Sequence, residues 1–367
     1  MNKAIPMPHN HSFPIFSEQH DNDFNTTYTA NTSVQTTDHP HYTHFVYIWS
    51  VLFSLILLSN GSLLYLLITR RHLITSFTIY LFSILVANVL CWCVCMLPLE
   101  MVYLVSDNWW MGETACDLYL YGNWLLPGVI TSSHALISIT RIWAVIRPHS
   151  YRNVHTPRLA MALCAGVWIS VHLFCLPLLV MDRSFFRQPT SGCRLNLTAQ
   201  LWSEAYLTVI FYVADAIILL SFPLITYKTI QNSQQHAKLV SPEGGKAPLH
   251  YRSKSLVALT AMSVSIAVIW APNHVVSIVT KYHRAELPDA VWQLLWVVYP
   301  LQAVVDPVLF ALCLASIRCE VKRLVVKTKA AIYDHVKSVQ MRTTTRVSTE
   351  IYSVSHQQKR FQVDYSM

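Results

Sequence analysis

The stretch CDLYLYGNWLLPGVITSSHALISITRIWAVIRPHSYR, residues 116–152, decides how the rest of the chain is read. From Leu118 to Thr140 it contains no Asp, Glu, Lys or Arg, and a run of ~20 predominantly apolar residues can cross a hydrocarbon core as a helix. Yet Asn123, Ser132, Ser133 and His134 lie inside it. Polar side chains at membrane depth are tolerated only where other helices or a cavity shield them from lipid. The pattern therefore predicts a helix at the centre of a bundle, ending where Arg141, Arg147, Arg152 and Arg158 begin a basic segment.

Six further apolar stretches flank it: His44–Thr69, Phe77–Tyr103, Leu159–Met181, Trp202–Tyr227, Ser255–Thr280 and Val291–Cys313. With Cys116–Thr140 they make seven spans. Composition agrees, because 53% of the 367 residues are hydrophobic and 13% charged, against ~25% charged in soluble domains. The expected fold is all-α: a seven-transmembrane helix bundle followed by a short amphipathic helix on the membrane surface. Residues 1–43 are an extracellular glycosylated arm, 44–313 the bundle, 314–330 the amphipathic helix and 331–367 a disordered cytoplasmic tail. In that helix Ile317, Val321, Leu324, Val325 and Thr328 recur at helical spacing beside Arg318, Lys322, Arg323 and Lys327, which suits a surface of anionic lipid. Cys319 there is a candidate for palmitoylation.

Lys and Arg set the orientation. With the amino terminus outside, 21 of the 27 basic residues fall on inner loops and the tail. The outer segments are acidic, with Glu18, Asp21, Asp23, Asp38, Asp107 and Glu113 among them. The net charge of +8 is thus a cytoplasmic feature facing membrane lipid, and nucleic acid is not needed to explain it. No apolar core of signal-peptide type precedes His44, so the first span is expected to direct insertion itself. Glycosylation sequons begin at Asn10, Asn25 and Asn31 in the arm and at Asn196 in the loop before span five. Six histidines lie in the first 44 residues; a solvated tail explains them better than a metal site, and no metal or cofactor is expected. Of the nine cysteines, Cys116 and Cys193 are the two at the oxidising outer surface, where a bridge would tie the loop before span five to the top of span three.

These features together resemble the rhodopsin-like (class A) G protein-coupled receptors, over about Asn60 to Leu324. The resemblance rests on Asn60 in span one, Trp110-Met-Gly112 before Cys116, Arg141 at 25 residues from Cys116, and Ile142-Trp-Ala-Val-Ile-Arg-Pro148 after it. It continues in Trp168 and Pro177, Trp270-Ala-Pro272, and Asp306-Pro-Val-Leu-Phe310. It implies switch and coupling roles for Asn60, Asn88, Thr140, Arg141, Tyr227, Trp270, Pro272, Asp306, Pro307 and Phe310. It also implies a heterotrimeric G protein as partner, engaged by outward movement of helix six, with arrestin and receptor kinases acting on the tail. Such a protein is a receptor and not an enzyme.

The sequence departs from the family pattern at several places. Thr140 stands where the family has an acid before its arginine, so Arg141 lacks that ion pair and can snorkel to water. Either basal signalling is raised or other contacts restrain Arg141. The usual mid-helix-two Asp and helix-seven Asn are exchanged to Asn88 and Asp306, expected to act as a structural and switching pair, and Ile130 puts the family's sodium site in doubt.

Local wording is closest to the aminergic branch, muscarinic and histamine-like, in Cys116-Asp-Leu-Tyr-Leu120 and Arg147-Pro-His-Ser-Tyr-Arg152. The amine-binding Asp of that branch is Asn123 here, which supplies no charge. The expected pocket comprises Asn123, Trp124, Asp215, Trp270, Asn273, His274, Trp296 and Tyr299. Asp215 is either an anchor for a cationic ligand or a structural acid satisfied by a neighbouring helix. The ligand is therefore expected to be an extracellular small molecule resembling a biogenic amine, with a basic neuropeptide as the alternative. A lysine for a retinal Schiff base is absent from span seven. A seven-helix transporter would need inverted repeats or broken helix pairs, and an enzyme would need a convergent catalytic set. Asp215, Asp306, His134 and His274 look too scattered in sequence to supply one.

Overall fold

The computed structural model describes residues 42–93, 109–187, 193–196, 200–239, 261–262, 264–283, 287–334 and 336–338. The three arm sequons, residues 240–260 and the tail beyond residue 338 lie outside these residues. Helices α1 (Tyr42–Thr69), α2 (Ser76–Leu90), α3 (Glu113–Ile146), α4 (Pro148–Val154) and α5 (Pro157–Met181) form the first half. The fifth span comprises α6 (Leu201–Tyr206), a π-helical turn (Leu207–Tyr212) and α7 (Val213–Leu239). The sixth includes α8 (Ala271–His283), and the seventh is α9 (Asp289–Val298) followed by α10 (Leu301–Cys313). Five helices are long and apolar enough to cross a membrane, and Val264–Thr280 and Leu301–Leu312 are shorter apolar helices. The fold is the expected all-α seven-helix bundle.

Local chemistry explains the helix boundaries. Thr75 caps α2 reciprocally: its hydroxyl accepts from the Thr78 amide at 3.2 Å, while the Thr78 hydroxyl accepts from the Thr75 amide at 2.6 Å. Thr156 caps α5 and Pro157 occupies its first turn, where a missing N–H costs nothing. Gly112 adopts a φ of 82°, a left-handed conformation suited to glycine, and starts α3. Its carbonyl accepts from the Trp109 indole at 2.8 Å, and Trp109 stacks on Tyr119 at 5.7 Å. Trp110 is exposed, so it is Trp109, not Trp110, that packs in this motif.

Three boundaries differ from the sequence expectation. Helix α3 runs through Arg141 to Ile146, because an arginine does not stop a helix whereas Pro148 disfavours helical geometry at Arg147. Helix α7 continues to Leu239, beyond Tyr227. Its extra turns carry Lys228, Gln231, Gln234, Gln235 and Lys238, which favour helix in water as well as in lipid, so the helix outlasts the expected span. The helix after span seven covers 315–334 and outlasts the expected end at 330. Conversely, span seven is broken at Tyr299–Pro300, where Pro300 has no amide hydrogen to continue the ladder.

As expected, α3 is central, packing against α2, α5 and the fifth span. Its buried face includes Asn123, Trp124, Gly128, His134 and Ser138. Gly128 marks the closest approach: a Cβ there would lie 2.9 Å from Ile210 Cγ2 and 3.0 Å from both the Tyr206 hydroxyl and Val171 Cγ1. Residues Met1–Cys313 form one compact unit and Leu314–Met367 a second. Within the second, Cys319 is exposed and Arg323 reaches Glu320 at 3.8 Å.

Candidate ligand site and cytoplasmic switch

The first turn of α3 is tied down by the Cys116–Cys193 disulfide, whose Cα atoms are 5.4 Å apart. Beside it, the buried Asp182 carboxylate accepts from the Asn196 amide at 3.0 Å and from Arg187 Nε at 2.8 Å. Arg187 also reaches Asp117 at 2.6 Å, and Arg183 donates to the other Asp117 oxygen. Burial opposes the Arg187 charge, but the Asp117 and Asp182 carboxylates outweigh it and raise its pKa. The sequon asparagine Asn196 thus has its backbone amide in this loop network, and its side-chain amide points at the Phe186 carbonyl at 3.4 Å.

Below that lid, spans three, five and six converge. Tyr206 donates to the Trp124 carbonyl, and their rings meet edge-on at 5.9 Å. Tyr206 packs on Phe211 at 5.7 Å, and Phe211 packs on His274 at 5.6 Å. His274 Nδ1 pairs with Asp215 Oδ2. Asp215 is 6% exposed and Oδ1 has no hydrogen-bond partner among the described residues. The same holds for both amide atoms of Asn123 and of Asn273, each 0% exposed. Buried polar atoms are nearly always satisfied, so these five unsatisfied atoms on spans three, five and six stand out among the described residues. The Trp270 face is taken by Tyr299, stacked at 5.9 Å. Trp124 and Trp270 are therefore already packed against tyrosines, while the Trp296 side chain lies outside the described residues.

One helical turn below Trp270, the arrangement differs from the expected Asn88–Asp306 pair. Asp306 Oδ2 meets His134 Nε2 at 3.0 Å, and Oδ1 accepts from Gln302 at 2.6 Å. Gln302 continues to Ser265 at 3.2 Å, and His134 sets its ring edge-on to Trp270 at 5.9 Å. Asn88 instead donates to Asn60 at 3.0 Å, and Asn60 donates to the Ala303 carbonyl at 2.7 Å. Asn88 and Asp306 are thus not hydrogen-bonded to one another. The physical reason is hydrogen bonding: each oxygen of a buried carboxylate needs a partner, and His134 and Gln302 supply both. The four acids and histidines that look scattered in sequence are two His–Asp pairs, one on each side of Trp270.

At the end of α3 away from the disulfide the Arg141 guanidinium lies 3.9 Å over the Phe77 ring, so it does not simply snorkel to water. Thr140, in the place of the acid, turns its hydroxyl to the Ile137 carbonyl at 2.8 Å. Next to them Tyr80 and His155 Nε2 are 2.7 Å apart, and His155 stacks on Tyr151 at 4.4 Å. Phe310 and Pro307 are buried, but Tyr227 is 61% exposed and is not brought to Arg141. Pro272 faces outward beside the turn at Trp270. Sequence reasoning missed Phe77 and Gln302. The spacing of Gln302 four residues before Asp306 could have revealed the latter, whereas nothing local marks Phe77.

Comparison with known proteins identifies the family. The rhodopsin family of 7 transmembrane receptors matches residues 59–310. The human cysteinyl leukotriene receptor 1 is 26% identical over 241 residues, 62% of this chain and 67% of that receptor. Its mouse counterpart is 23% identical, again over 62% of this chain and over 64% of that receptor. The human histamine H1 receptor is 25% identical over 187 residues, 50% of this chain and 38% of that receptor. The chain thus spans about two thirds of the leukotriene receptors and well under half of the histamine receptor. With a family match running from span one to the end of span seven, this chain belongs to the rhodopsin family of seven-transmembrane receptors.

Proposed function

We propose that this receptor binds an extracellular small molecule resembling a biogenic amine and activates a heterotrimeric G protein through outward movement of helix six. It does so at the plasma membrane with its amino terminus outside, and arrestin and receptor kinases act on its tail. The observation that carries the ligand class is Asp215, a buried carboxylate with Oδ1 unpartnered among the described residues, together with the buried, unbonded amides of Asn123 on span three and Asn273 on span six. An ammonium on Oδ1 would add a charge-assisted hydrogen bond, and the two amides offer donors and acceptors for the rest of the molecule. The likeness to a histamine receptor supports this reading. Coupling would follow from a ligand that binds one packing of the bundle better than the other.

A second reading is a ligand of the cysteinyl leukotriene kind. Asn123 favours it, since an amide makes no demand for positive charge. The test is nucleotide exchange on a panel of heterotrimers, with the full-length receptor in lipid nanodiscs challenged by histamine, acetylcholine, a cysteinyl leukotriene and Lys/Arg-rich peptides. An amine response that Asp215→Asn weakens at least ~10-fold supports the proposal, given the strength of a charge-assisted bond. A leukotriene or peptide response indifferent to Asp215→Asn overturns it.

A further inference from the structure

We infer that Phe77 is the positioning residue that holds Arg141 in the resting state, by a cation–π contact that stands where an ion pair would. The inference rests on reading Arg141 as the G protein contact. Arg141 makes no ion pair among the described residues, and its sequence neighbour Thr140 is committed to the Ile137 carbonyl at 2.8 Å. Helix six can supply no carboxylate either, since no Asp or Glu occurs between Gly244 and Trp270. The guanidinium lies 3.9 Å over the Phe77 ring, well inside the ~6 Å range of cation–π attraction. Arginine suits this seat because its planar, weakly hydrated group stacks on a ring face where a lysine would stay solvated.

The ring is itself held in place. Phe77 sits in the first turn of α2, inside the Thr75–Thr78 capping box. Its neighbour Ser76 donates to the His155 carbonyl at 3.3 Å, and Tyr80, one turn on, is 2.7 Å from the His155 ring. The first turn of α2 is thus bonded to the loop that follows α3. Arg141 must leave this ring to enter a cytoplasmic cleft, so the strength of the contact sets how readily the receptor leaves its resting packing.

The test replaces Phe77 by 4-fluoro-, 3,5-difluoro- and 3,4,5-trifluorophenylalanine in the full-length receptor in nanodiscs. Fluorination drains the ring face of negative charge with little change of shape, so a purely packing role would not respond. Thermal stability should fall stepwise with fluorine number and become flat in an Arg141→Leu background. Basal nucleotide exchange should rise in the same order, by roughly threefold at three fluorines. A flat stability series with Arg141 present overturns the inference, whatever exchange does. Stepped stability with no heterotrimer responding to any variant sustains the Phe77 seat and sinks the G protein reading.

Discussion

His134 on the third span and Asp306 on the seventh meet at 3.0 Å in the fully buried centre of the bundle. Through Gln302 and Ser265 the pair reaches helix six, and through the edge of His134 it touches Trp270. One carboxylate therefore joins three spans of the bundle.

Removing one partner should be far worse than removing both. His134→Leu leaves Asp306 with Gln302 alone at 0% exposure, and a broken buried pair costs about 3–5 kcal/mol. The expected result is a large fall in the thermal stability of the purified receptor. His134→Leu with Asp306→Leu should recover most of it, because well-packed apolar replacements of buried pairs are often neutral. A double variant as unstable as the single would show that packing, and not charge pairing, governs this site.

Much of this was legible beforehand. The seven apolar runs and the two outer cysteines specified the bundle and its bridge, because both depend on chemistry that a single segment carries. Pairings between distant segments were not legible. Nothing adjacent to Asp306 indicates that its partner is His134, 172 residues away, so the neighbouring family position at Asn88 was the natural but wrong choice. The same holds for Phe77, an ordinary apolar residue until the Arg141 guanidinium is placed over it.

Gly128 and Gly166 should respond to alanine with opposite signs. Alanine is preferred over glycine in a helix by about 1 kcal/mol, and Gly166 has nothing within 4 Å of an added Cβ. Gly166→Ala should therefore stabilise slightly. At Gly128 the new methyl meets Ile210, Tyr206 and Val171 at 2.9–3.0 Å. Tyr206 cannot retreat without losing its hydrogen bond to the Trp124 carbonyl. Overpacking costs typically about 1–3 kcal/mol, which exceeds the propensity gain, so Gly128→Ala should lower the melting temperature. Partial rescue by Ile210→Ala would identify the clash as the cause.

The segment between α3 and α5 should loosen in mild acid. Burial, and then the nearby Arg141 charge, depress the pKa of His155, whose ring contacts Tyr80 and Tyr151. The unfolded loop, with an ordinary histidine value of about 6.5, takes up a proton that the folded loop resists. The stabilisation is complete above about pH 6.5 and is lost as pH falls from there toward the depressed folded value. Hydrogen exchange of residues 148–155 should accelerate between pH 7 and pH 5.5 once corrected for intrinsic rates. His155→Gln should remove that dependence while keeping a hydrogen-bonding group opposite Tyr80. An unchanged profile in the variant would assign the effect to another group.

Restoring a carboxylate at Asn123 separates the two ligand readings. Asn123 is fully buried with neither amide atom bonded among the described residues. In Asn123→Asp a further buried acid would join Asp215 and Asp306 in number but not in pairing, and an unpaired buried charge is costly. The ligand-free variant should melt below the parent. An ammonium ligand would neutralise that charge, and the gain from a ligand that binds only the folded state grows as RT ln(1 + [L]/Kd). Histamine at millimolar concentration should therefore raise the melting temperature of Asn123→Asp more than that of the parent. If histamine raises neither, or raises the parent more, the aspartate does not face the ligand's cation and the amine reading loses its geometric basis.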